Sequence, residues 1–338
     1  MFSKKIETIA YGLLFVASLG LAYWASLPKS EDAQEKFPIL SIGIEEIGRI
    51  EFESEKQRSV LEQKEKDFFW LTVESKGSAK KSENAEGESG TNEPESFRAN
   101  DSVTEYVKLF SPLFGRRNLG EIKDTEKLKD YGLDAAKTKL RLYKSNGDLA
   151  AELWIGNKVV GGAQYYAYYQ EKQTLTMLDG ELIEIIEGAK TKLFQRGILS
   201  SYLDDFEACE IKRGDQKVQI NKVAGEQNKL SSWLGPDQAK ALNNVQFDIW
   251  LENIEKLRID NYAGAEIASQ LESQAELFSL TCRHKTRPPE MMVFKKMKIE
   301  GQKSEYWVTG SFLKSYAALS ASRFVTVNSD VEKMLQAQ

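Results

Sequence analysis

Apolar and charged residues alternate over residues 49–53, which read RIEFE. A period of two is typical of a strand with one buried face. Residues 59–63 follow it and predict the second strand of a β-hairpin. In the second half of the chain, residues 209–211 and 217–221 show the same two patterns. The pattern therefore predicts one hairpin in each half.

The first strand of each hairpin lies in an internal repeat. Residues 39–52 read ILSIGIEEIGRIEF, and residues 198–211 read ILSSYLDDFEACEI at a constant offset of 159 positions. Cys209 takes the inward-facing position of Ile50. One structural unit used twice explains this similarity.

The repeat also decides how two pairs of carboxylates are interpreted. Asp204 and Asp205 are adjacent, as in the beginnings of many acid–base and metal sites, and they fall on Glu45 and Glu46. Neighbouring side chains in an extended segment point apart, so they rarely meet at one substrate. We interpret both pairs as the solvated leading turn of a repeated module.

Each half next contains an amphipathic helical pattern. Asn100 or Asp101 can cap the first helix, and Pro112 shortens or kinks it. Pro236 suits the first turn of the second helix. The apolar positions at helical spacing are Val103, Tyr106, Val107, Phe110 and Phe114 in the first half, and Leu242, Val245, Ile249, Trp250, Ile254 and Leu257 in the second.

Several strand patterns follow each helix in the same order. They cover residues 139–145, 152–156, 164–170 and 175–178 in the first half, and 277–283, 290–294, 305–310 and 324–327 in the second. Residues 179–187 and 328–335 predict closing helices, with Asp179 and Asn328 as caps. The predicted fold class is α+β, with two divergent tandem modules, each built of a β-hairpin, a helix and a mostly antiparallel sheet.

Residues 74–96 break the pattern because they contain hardly any apolar side chain. Such a composition cannot bury enough surface to offset its ordering entropy and predicts a disordered insertion. The predicted domains are a cytoplasmic stub and transmembrane anchor, a stalk, a first module that includes the insertion, and a second module. They cover residues 1–28, 29–38, 39–196 and 197–338.

The N-terminal apolar stretch runs from Thr8 to Leu27 without a charged residue. Twenty helical residues span about 30 Å, the thickness of the hydrocarbon core of a bilayer. Lys4 and Lys5 precede the stretch and acidic residues follow it, which predicts a cytoplasmic N-terminus and external modules. A cleaved signal peptide is the alternative, but its small-residue cleavage site would lie inside the apolar stretch. We expect a retained single-pass membrane anchor.

Composition narrows the range of partners and chemical sites that this protein can have. A net charge of −5 argues against nucleic acid as a partner, and the single histidine, His284, leaves few metal or acid–base sites possible. We expect no catalytic residue, no metal site and no cofactor, and therefore no enzyme. The two cysteines, Cys209 and Cys282, either form a disulfide or are small buried residues that never meet. The inward position of Cys209 favours the second interpretation.

Two groups of residues are candidates for contact with a partner or ligand. Tyrosines on a strand could form a stacking platform on an exposed aromatic face, with the other face of the strand in the core. Basic residues in a turn between strands could touch an acidic partner or lipid headgroups, although such turns are commonly just solvated. The candidates are Tyr165, Tyr166, Tyr168, Tyr169, Arg283, Lys285 and Arg287.

Residues 131–178 begin with Tyr-Gly-Leu-Asp, contain the dipeptide Ile155-Gly156, and continue into a strand that begins with Tyr165 and Tyr166. This order resembles the bacterial domain-of-unknown-function family 4340, and the resemblance extends over residues 40–335. The second module lacks both the Tyr-Gly-Leu-Asp and the Ile-Gly elements. The resemblance implies a membrane-anchored protein, because members of the family typically are. It also suggests an accessory subunit, because many members are similar to proteins encoded beside gliding-motility-type ABC transporters.

We therefore expect a non-enzymatic envelope scaffold or accessory subunit in the bacterial cytoplasmic (inner) membrane, with periplasmic or extracytoplasmic modules. Its expected partners are the membrane and other envelope or transporter proteins, such as an ABC transporter complex. The alternative is an extracytoplasmic module that binds glycan or lipid through the aromatic strand.

Overall fold

The computed structural model describes residue 18 and residues 37–66, 68–76, 94–133, 137–223, 232–234, 241–298 and 304–336. The strands are β1 (Phe37–Leu40), β2 (Ile47–Glu53), β3 (Gln57–Glu65), β4 (Phe68–Ser75), β5 (Glu95–Arg98), β6 (Leu113–Gly115), β7 (Arg117–Glu121), β8 (Lys139–Lys144), β9 (Leu149–Lys158), β10 (Gln164–Tyr169), β11 (Thr174–Asp179), β12 (Phe206–Arg213), β13 (Gln216–Val223), β14 (Ser232–Leu234), β15 (Ile259–Tyr262), β16 (Glu276–His284), β17 (Glu290–Met297), β18 (Glu305–Gly310) and β19 (Ala317–Leu319).

Helices connect these strands and cover them. The α-helices are α1 (Ser102–Lys108), α2 (Gly180–Glu187), α3 (Ala189–Lys192), α4 (Ala241–Glu255), α5 (Ala265–Glu272) and α6 (Ala321–Gln336). Short 3₁₀ helices span Ile44–Glu46, Thr125–Tyr131 and Leu203–Asp205.

Two large antiparallel sheets form the body of the protein. The first has the order β5-β4-β3-β2-β8-β9-β10-β11-β7, and the second has the order β14-β13-β12-β16-β17-β18-β19-β15. The two orders correspond strand for strand, except that β5 extends the first sheet by one strand. A separate small sheet pairs β1 with β6. The predicted combination of helices with mostly antiparallel sheets is confirmed.

The repeat is visible in the strand register. Ile50 in β2 lies opposite Leu61 in β3, and Cys209 in β12 lies opposite Ile220 in β13. Both pairs keep the offset of 159 positions that the sequence shows. The 3₁₀ helices Ile44–Glu46 and Leu203–Asp205 keep the same offset, so both carboxylate pairs do lie in leading turns.

Two predicted caps form hydrogen bonds. The Asn100 side chain accepts a hydrogen bond from the backbone N–H of Ser102 at 3.1 Å, whereas Asp101 makes no capping hydrogen bond. The Asp179 carboxylate accepts from the backbone N–H of Glu181 at the start of α2. The first helix ends at Lys108, before the cis peptide bond that joins Ser111 to Pro112. Pro236 lies outside the described residues.

At the end of the chain, the predicted closing helix over residues 328–335 is confirmed, but the predicted strand before it is wrong. Residues 324–327 belong to α6 instead of a strand, and Asn328 lies within this helix instead of capping it. The β-branched residues in this stretch suggested a strand. Phe324, Val327 and Val331 are buried at spacings of three and four residues, so packing against the sheet favours the helix. The last strand of the ladder before this helix is β19.

The predicted disordered insertion over residues 74–96 overlaps β4 at its start and β5 at its end, so its boundaries are wrong. Trp70 pairs with Arg98 and Val73 with Glu95, which makes these segments adjacent antiparallel strands. Backbone pairing between these strands therefore holds the first and last polar residues of the predicted insertion in the sheet. Residues 77–93 lie outside the described residues.

A disulfide joins Cys209 to Cys282, contrary to the favoured interpretation of two separate thiols. Cys209 lies directly opposite Cys282 in the pairing of β12 with β16, and the Cα atoms are 4.0 Å apart. Both residues are buried, so the expectation of an inward-facing Cys209 is confirmed. The repeat could not predict the bond, because in the first sheet Ile50 lies opposite Leu142 and neither is a cysteine.

The predicted membrane anchor, residues 8–27, lies outside the described residues apart from Ser18. Within the part of the chain that the structure describes, no helix has both the length and the apolar character needed to span a bilayer.

An ion-pair network crosses adjacent strands of the first sheet around Arg141 in β8. The guanidinium contacts Glu53 at 2.9 Å, Glu51 at 3.3 Å and Glu152 at 2.7 Å. Lys76 also donates to Glu53, at 2.7 Å. The hydrogen bonds from Lys76 and Arg141 lower the pKa of Glu53 from 4.5 to about 2.

Candidate interaction site

The four predicted tyrosines lie in β10 and do not form an open platform. Tyr168 and Tyr169 are both buried, on opposite faces of the strand, while Tyr165 and Tyr166 are half-buried. The Tyr168 hydroxyl donates to the backbone carbonyl of Ile122 at 3.1 Å. The Tyr169 hydroxyl donates to the Glu171 carboxylate at 2.6 Å, and burial together with this hydrogen bond raises the pKa of Tyr169 to about 12.

A small second core covers the face that carries Tyr168. Leu128, from the 3₁₀ helix Thr125–Tyr131, packs with Tyr168 and Leu175, and all three are buried. Tyr131 meets Tyr166 edge to face, with ring centroids 5.0 Å apart. The ring of Tyr168 therefore belongs to a core, which is one of the two interpretations that the sequence allows for a face of this strand. The sequence did not show that a 3₁₀ helix lies over this face.

The predicted basic residues of the turn after β16 are exposed but do not converge. Arg283 lies 3.8 Å from Glu207, and Arg287 donates to the Ser201 hydroxyl at 3.2 Å. Lys285 is exposed nearby. These contacts are local ones across the module surface, and exposed pairs of this kind are weak.

Next to this turn lies a buried polar cluster. The Glu290 carboxylate accepts from the Ser200 hydroxyl at 2.5 Å and lies 3.5 Å from Nε2 of His284. The His284 ring packs against Phe206, with centroids 4.3 Å apart. The serine hydroxyl donates to the carboxylate and not to the imidazole, so the histidine does not activate it as a nucleophile. The cluster ties the leading turn of the second module to β17.

The two modules meet at a junction built around Arg98 at the edge of the first sheet. Its guanidinium lies between the rings of Phe68 and Phe312 and donates to the backbone carbonyl of Phe312. Burial lowers the pKa of Arg98. Glu65 of the first module pairs with Lys314 of the second at 3.2 Å.

Tyr262 extends the junction on the second module. Its ring packs against Trp70 at 5.9 Å and against Phe194 at 5.6 Å, both from the first module. Its hydroxyl is buried without a hydrogen-bond partner among the described residues, and burial raises its pKa. Aromatic and apolar contacts of this kind join the cores of both modules into one continuous cluster.

A cleft of about 510 Å³ opens beside this junction, and we designate it the hairpin cleft. One wall is the end of β3 with Lys66, another is α1, and the leading 3₁₀ helix of the first module lies at one end. Its lining residues are Ile44, Glu45, Gln63, Lys64, Glu65, Lys66, Phe69, Thr104 and Val107. Its volume falls within the range of roughly 300–1,000 Å³ that is typical of ligand sites.

The predicted site residues do not include the lining of the hairpin cleft. The repeat held one signal that could have found it, because Gln63 stands at the position of Lys222 in the second module. Within the described residues, no group of His, Cys, Asp and Glu side chains could hold a metal ion.

Comparisons with known proteins identify the family of one long segment. Residues 117–276 match the family described as domain of unknown function (DUF4340). The segment runs from β7 in the first module to the start of β16 in the second. The chain has no significant match among curated proteins or among solved structures. This match agrees with the resemblance of residues 131–178 to the same family.

Proposed function

We propose that this protein is a non-enzymatic, membrane-anchored component of the bacterial envelope that binds other membrane proteins. Residues 8–27 serve as the anchor, and the two modules lie outside the cytoplasm. An ABC transporter complex is the partner that the family resemblance suggests. The protein acts in this complex as a scaffold or accessory subunit.

The junction between the modules carries the proposal. Arg98 lies between an aromatic ring of each module, and the two cores are continuous across the junction. A scaffold requires surfaces held at a constant separation, and large apolar interfaces restrict relative domain motion. The junction meets this requirement.

The disulfide supports the proposed location of the two modules outside the cytoplasm. Disulfides form and persist in oxidising environments such as the bacterial periplasm, and are rare in the cytosol. The Cys209–Cys282 bond lies in the centre of the second sheet, between β12 and β16. This agrees with external modules, which the positive-inside pattern around residues 8–27 also favours.

No specific contact favours the alternative of a glycan- or lipid-binding aromatic strand. Stacking on a sugar needs an accessible ring face. Tyr168 is 4% exposed and Tyr169 is 4% exposed, so neither ring offers one.

The test compares two forms of the chain in the same compartment. One is the full-length protein with a C-terminal tag, and the other carries a cleaved signal peptide in place of residues 1–28. After extraction in mild detergent, we expect membrane partners with the full-length protein and about tenfold fewer with the other form, because anchoring raises the effective concentration. Recovery of the full-length protein alone in several detergents would contradict the proposal.

A further inference from the structure

A small pocket lies on the first sheet where β2 meets the turn between β8 and β9, and we designate it the turn pocket. Its volume is about 150 Å³. Arg49 and Tyr143 alternate with the buried residues Ile50 and Leu142, so the pocket lies on the outward face of the sheet. The turn pocket is lined by described residues throughout, among them Gly48, Arg49, Glu62, Tyr143, Lys144 and Ser145.

The guanidinium of Arg49 is held in this pocket without a counter-ion. Among the described residues, Arg49 has no hydrogen-bond or ion-pair partner, and its Nε is buried. Its guanidinium carbon lies 3.8 Å from the ring centroid of Tyr143, the residue opposite it on β8. A planar guanidinium that stacks on a ring is pre-organised, so it loses less freedom when it binds an anion.

The carboxylates next to Arg49 on this face of the sheet are already paired with other cations. Glu62 lies opposite Arg49 on β3, and its Oε2 lies 2.5 Å from Nζ of Lys64. Glu51, two positions along β2, belongs to the ion-pair network around Arg141. The charge of Arg49 is therefore not neutralised within the first sheet.

Lys144 adds a second positive charge to the turn pocket. It is exposed, and its ammonium has no ion-pair partner in the part of the chain that the structure describes. Because Lys64 already neutralises Glu62, Arg49 and Lys144 leave a local excess of positive charge on a chain whose net charge is −5. Such a site attracts an anionic group.

The second module places its own carboxylate at the equivalent point. Gly48 is the extra residue where β2 pairs with β8, and Glu207 is the extra residue where β12 pairs with β16. Oε2 of Glu207 lies 3.8 Å from Nε of Arg283, which takes the register position of Tyr143. A Cβ at Gly48 would lie 2.6 Å from the Cα of Ser145. The first module therefore cannot supply the acid from this position.

The charges and the size of the turn pocket select among anionic groups. A guanidinium matches the geometry of both carboxylate and phosphate. Glu62 lines the same pocket, so a phosphate dianion is repelled there about twice as strongly as a singly charged carboxylate. The volume of about 150 Å³ is below the roughly 300 Å³ at which small-molecule sites begin, so a single side chain fits better than a whole free ligand.

We propose that the turn pocket binds an Asp or Glu side chain of a partner protein, with its carboxylate against Arg49 and Lys144. The partner supplies in the first module the acid that Glu207 supplies in the second. This inference rests on the proposed function, because that partner is a component of the same envelope complex.

Carbodiimide crosslinking tests this contact, because it joins a lysine amine to a carboxylate without a spacer. The full-length protein is treated in isolated membranes, and its adducts are identified by mass spectrometry. We expect Lys144 to be joined to an Asp or Glu of a copurifying protein. Lys144→Arg keeps the positive charge but offers no amine, so this adduct should disappear while the partner still copurifies.

Substitutions connect the adduct with Arg49. We expect Arg49→Gln to reduce its yield at least about tenfold, the effect of losing roughly 1.4 kcal/mol of binding. Arg117→Gln is the matched control, because Arg117 is exposed on β7 and does not line the turn pocket. It should leave the yield unchanged.

Charge reversal gives a measurement that a merely structural role of Arg49 would not affect. Arg49→Glu should abolish binding of the identified partner. Replacing the crosslinked Asp or Glu of the partner with Arg should restore binding to this variant, because the two charges are then exchanged across one contact. If Arg49→Glu fails to fold, Arg49→Gln takes its place, and the charge-reversed partner should bind it no more weakly than the unaltered partner does.

An adduct that is unchanged by Arg49→Gln would overturn the inference, as would adducts of Lys144 with lipid or with this chain alone. Failure of the charge-reversed partner to restore binding would overturn it as well. Partners that still copurify without any Lys144 adduct would overturn it while leaving the proposed function intact. If nothing copurifies with the full-length protein, both fail.

Discussion

The guanidinium carbon of Arg98 lies 3.8 Å from the ring centroid of Phe312 and 4.6 Å from that of Phe68. The two rings come from different modules, so one cation bridges the junction. Arg98 also donates to the backbone carbonyl of Phe312. Arg98 is half-buried, and a cation that contacts two rings is stabilised by them because its hydration is reduced.

We expect Arg98→Ala to lower the free energy of unfolding by about 1–3 kcal/mol, since it removes two ring contacts and leaves a carbonyl without its donor. Arg98→Lys should recover only part of the loss, because an ammonium cannot stack as a planar guanidinium does. Denaturant unfolding of the full-length protein measures both. Lys314→Ala, which breaks an exposed pair, should cost under about 1 kcal/mol. Equal losses for Arg98→Ala and Lys314→Ala would contradict this assignment.

Removing the disulfide should destabilise the second module. The bond closes a long loop, with a sequence separation of 73 between the cysteines, and constrains the unfolded chain. We expect the double variant Cys209→Ala, Cys282→Ala to lose about 2–4 kcal/mol of unfolding free energy.

The bond itself can be checked by thiol labelling of protein that is unfolded without reductant. No thiol should react until a reductant is added. Two reactive thiols in protein purified from its native compartment would show that the bond does not form there, and would also weaken the proposed external location.

The lowered pKa of Glu53 predicts that the free energy of unfolding falls at acidic pH. Hydrogen bonds from Lys76 and Arg141 lower its pKa to about 2, from 4.5 when unperturbed. A lowered folded-state pKa means that the contribution of Glu53 is complete above about pH 4.5 and is lost as the pH falls towards 2. We expect Glu53→Gln to flatten the fall in stability across this window.

The matched control for this acid titration is Glu105→Gln, which changes an exposed carboxylate on α1 whose side chain is 74% exposed. Its stability curve should keep the slope of the unaltered protein. If Glu53→Gln keeps that slope as well, the ion-pair network around Arg141 does not hold Glu53 ionised as described.

Substitutions of Tyr168 test whether this residue belongs to the core or binds a ligand. Because its ring is buried and its hydroxyl donates to the carbonyl of Ile122, we expect Tyr168→Phe to cost about 1 kcal/mol and Tyr168→Ala about 3–5 kcal/mol. Thermal unfolding measures both. Tyr166→Ala, at a half-buried position, should cost less. An unchanged melting temperature for Tyr168→Ala would contradict a core role and would indicate an accessible aromatic surface.

The sequence predicted most of the regular structure because burial leaves a periodic pattern. The hairpin strands alternate around Ile50 and Cys209, and the repeat placed the leading turns correctly at Glu45 and Asp204. The pattern failed at residues 324–327, where local β-branched composition favoured a strand. Helical packing of Phe324 and Val327 against the sheet outweighed that preference.

The hairpin cleft and the module junction were not predictable in the same way. Arg98 and Gln63 lie in short polar stretches whose period carries no information about distant partners. The rings around Arg98 come from Phe68 and Phe312, which are far apart in the chain. Only comparison of the two modules, position by position, reveals that Gln63 lacks the charge of Lys222.

The disulfide between β12 and β16 has a mechanical consequence for a chain that is pulled at its two ends. Pulling on the chain ends cannot lengthen the segment between Cys209 and Cys282, because the covalent bond carries the load around it. With a sequence separation of 73, about 250 Å of contour length is withheld from extension. Under such tension, α4 and β15 stay outside the line of force, and β12 and β16 share it.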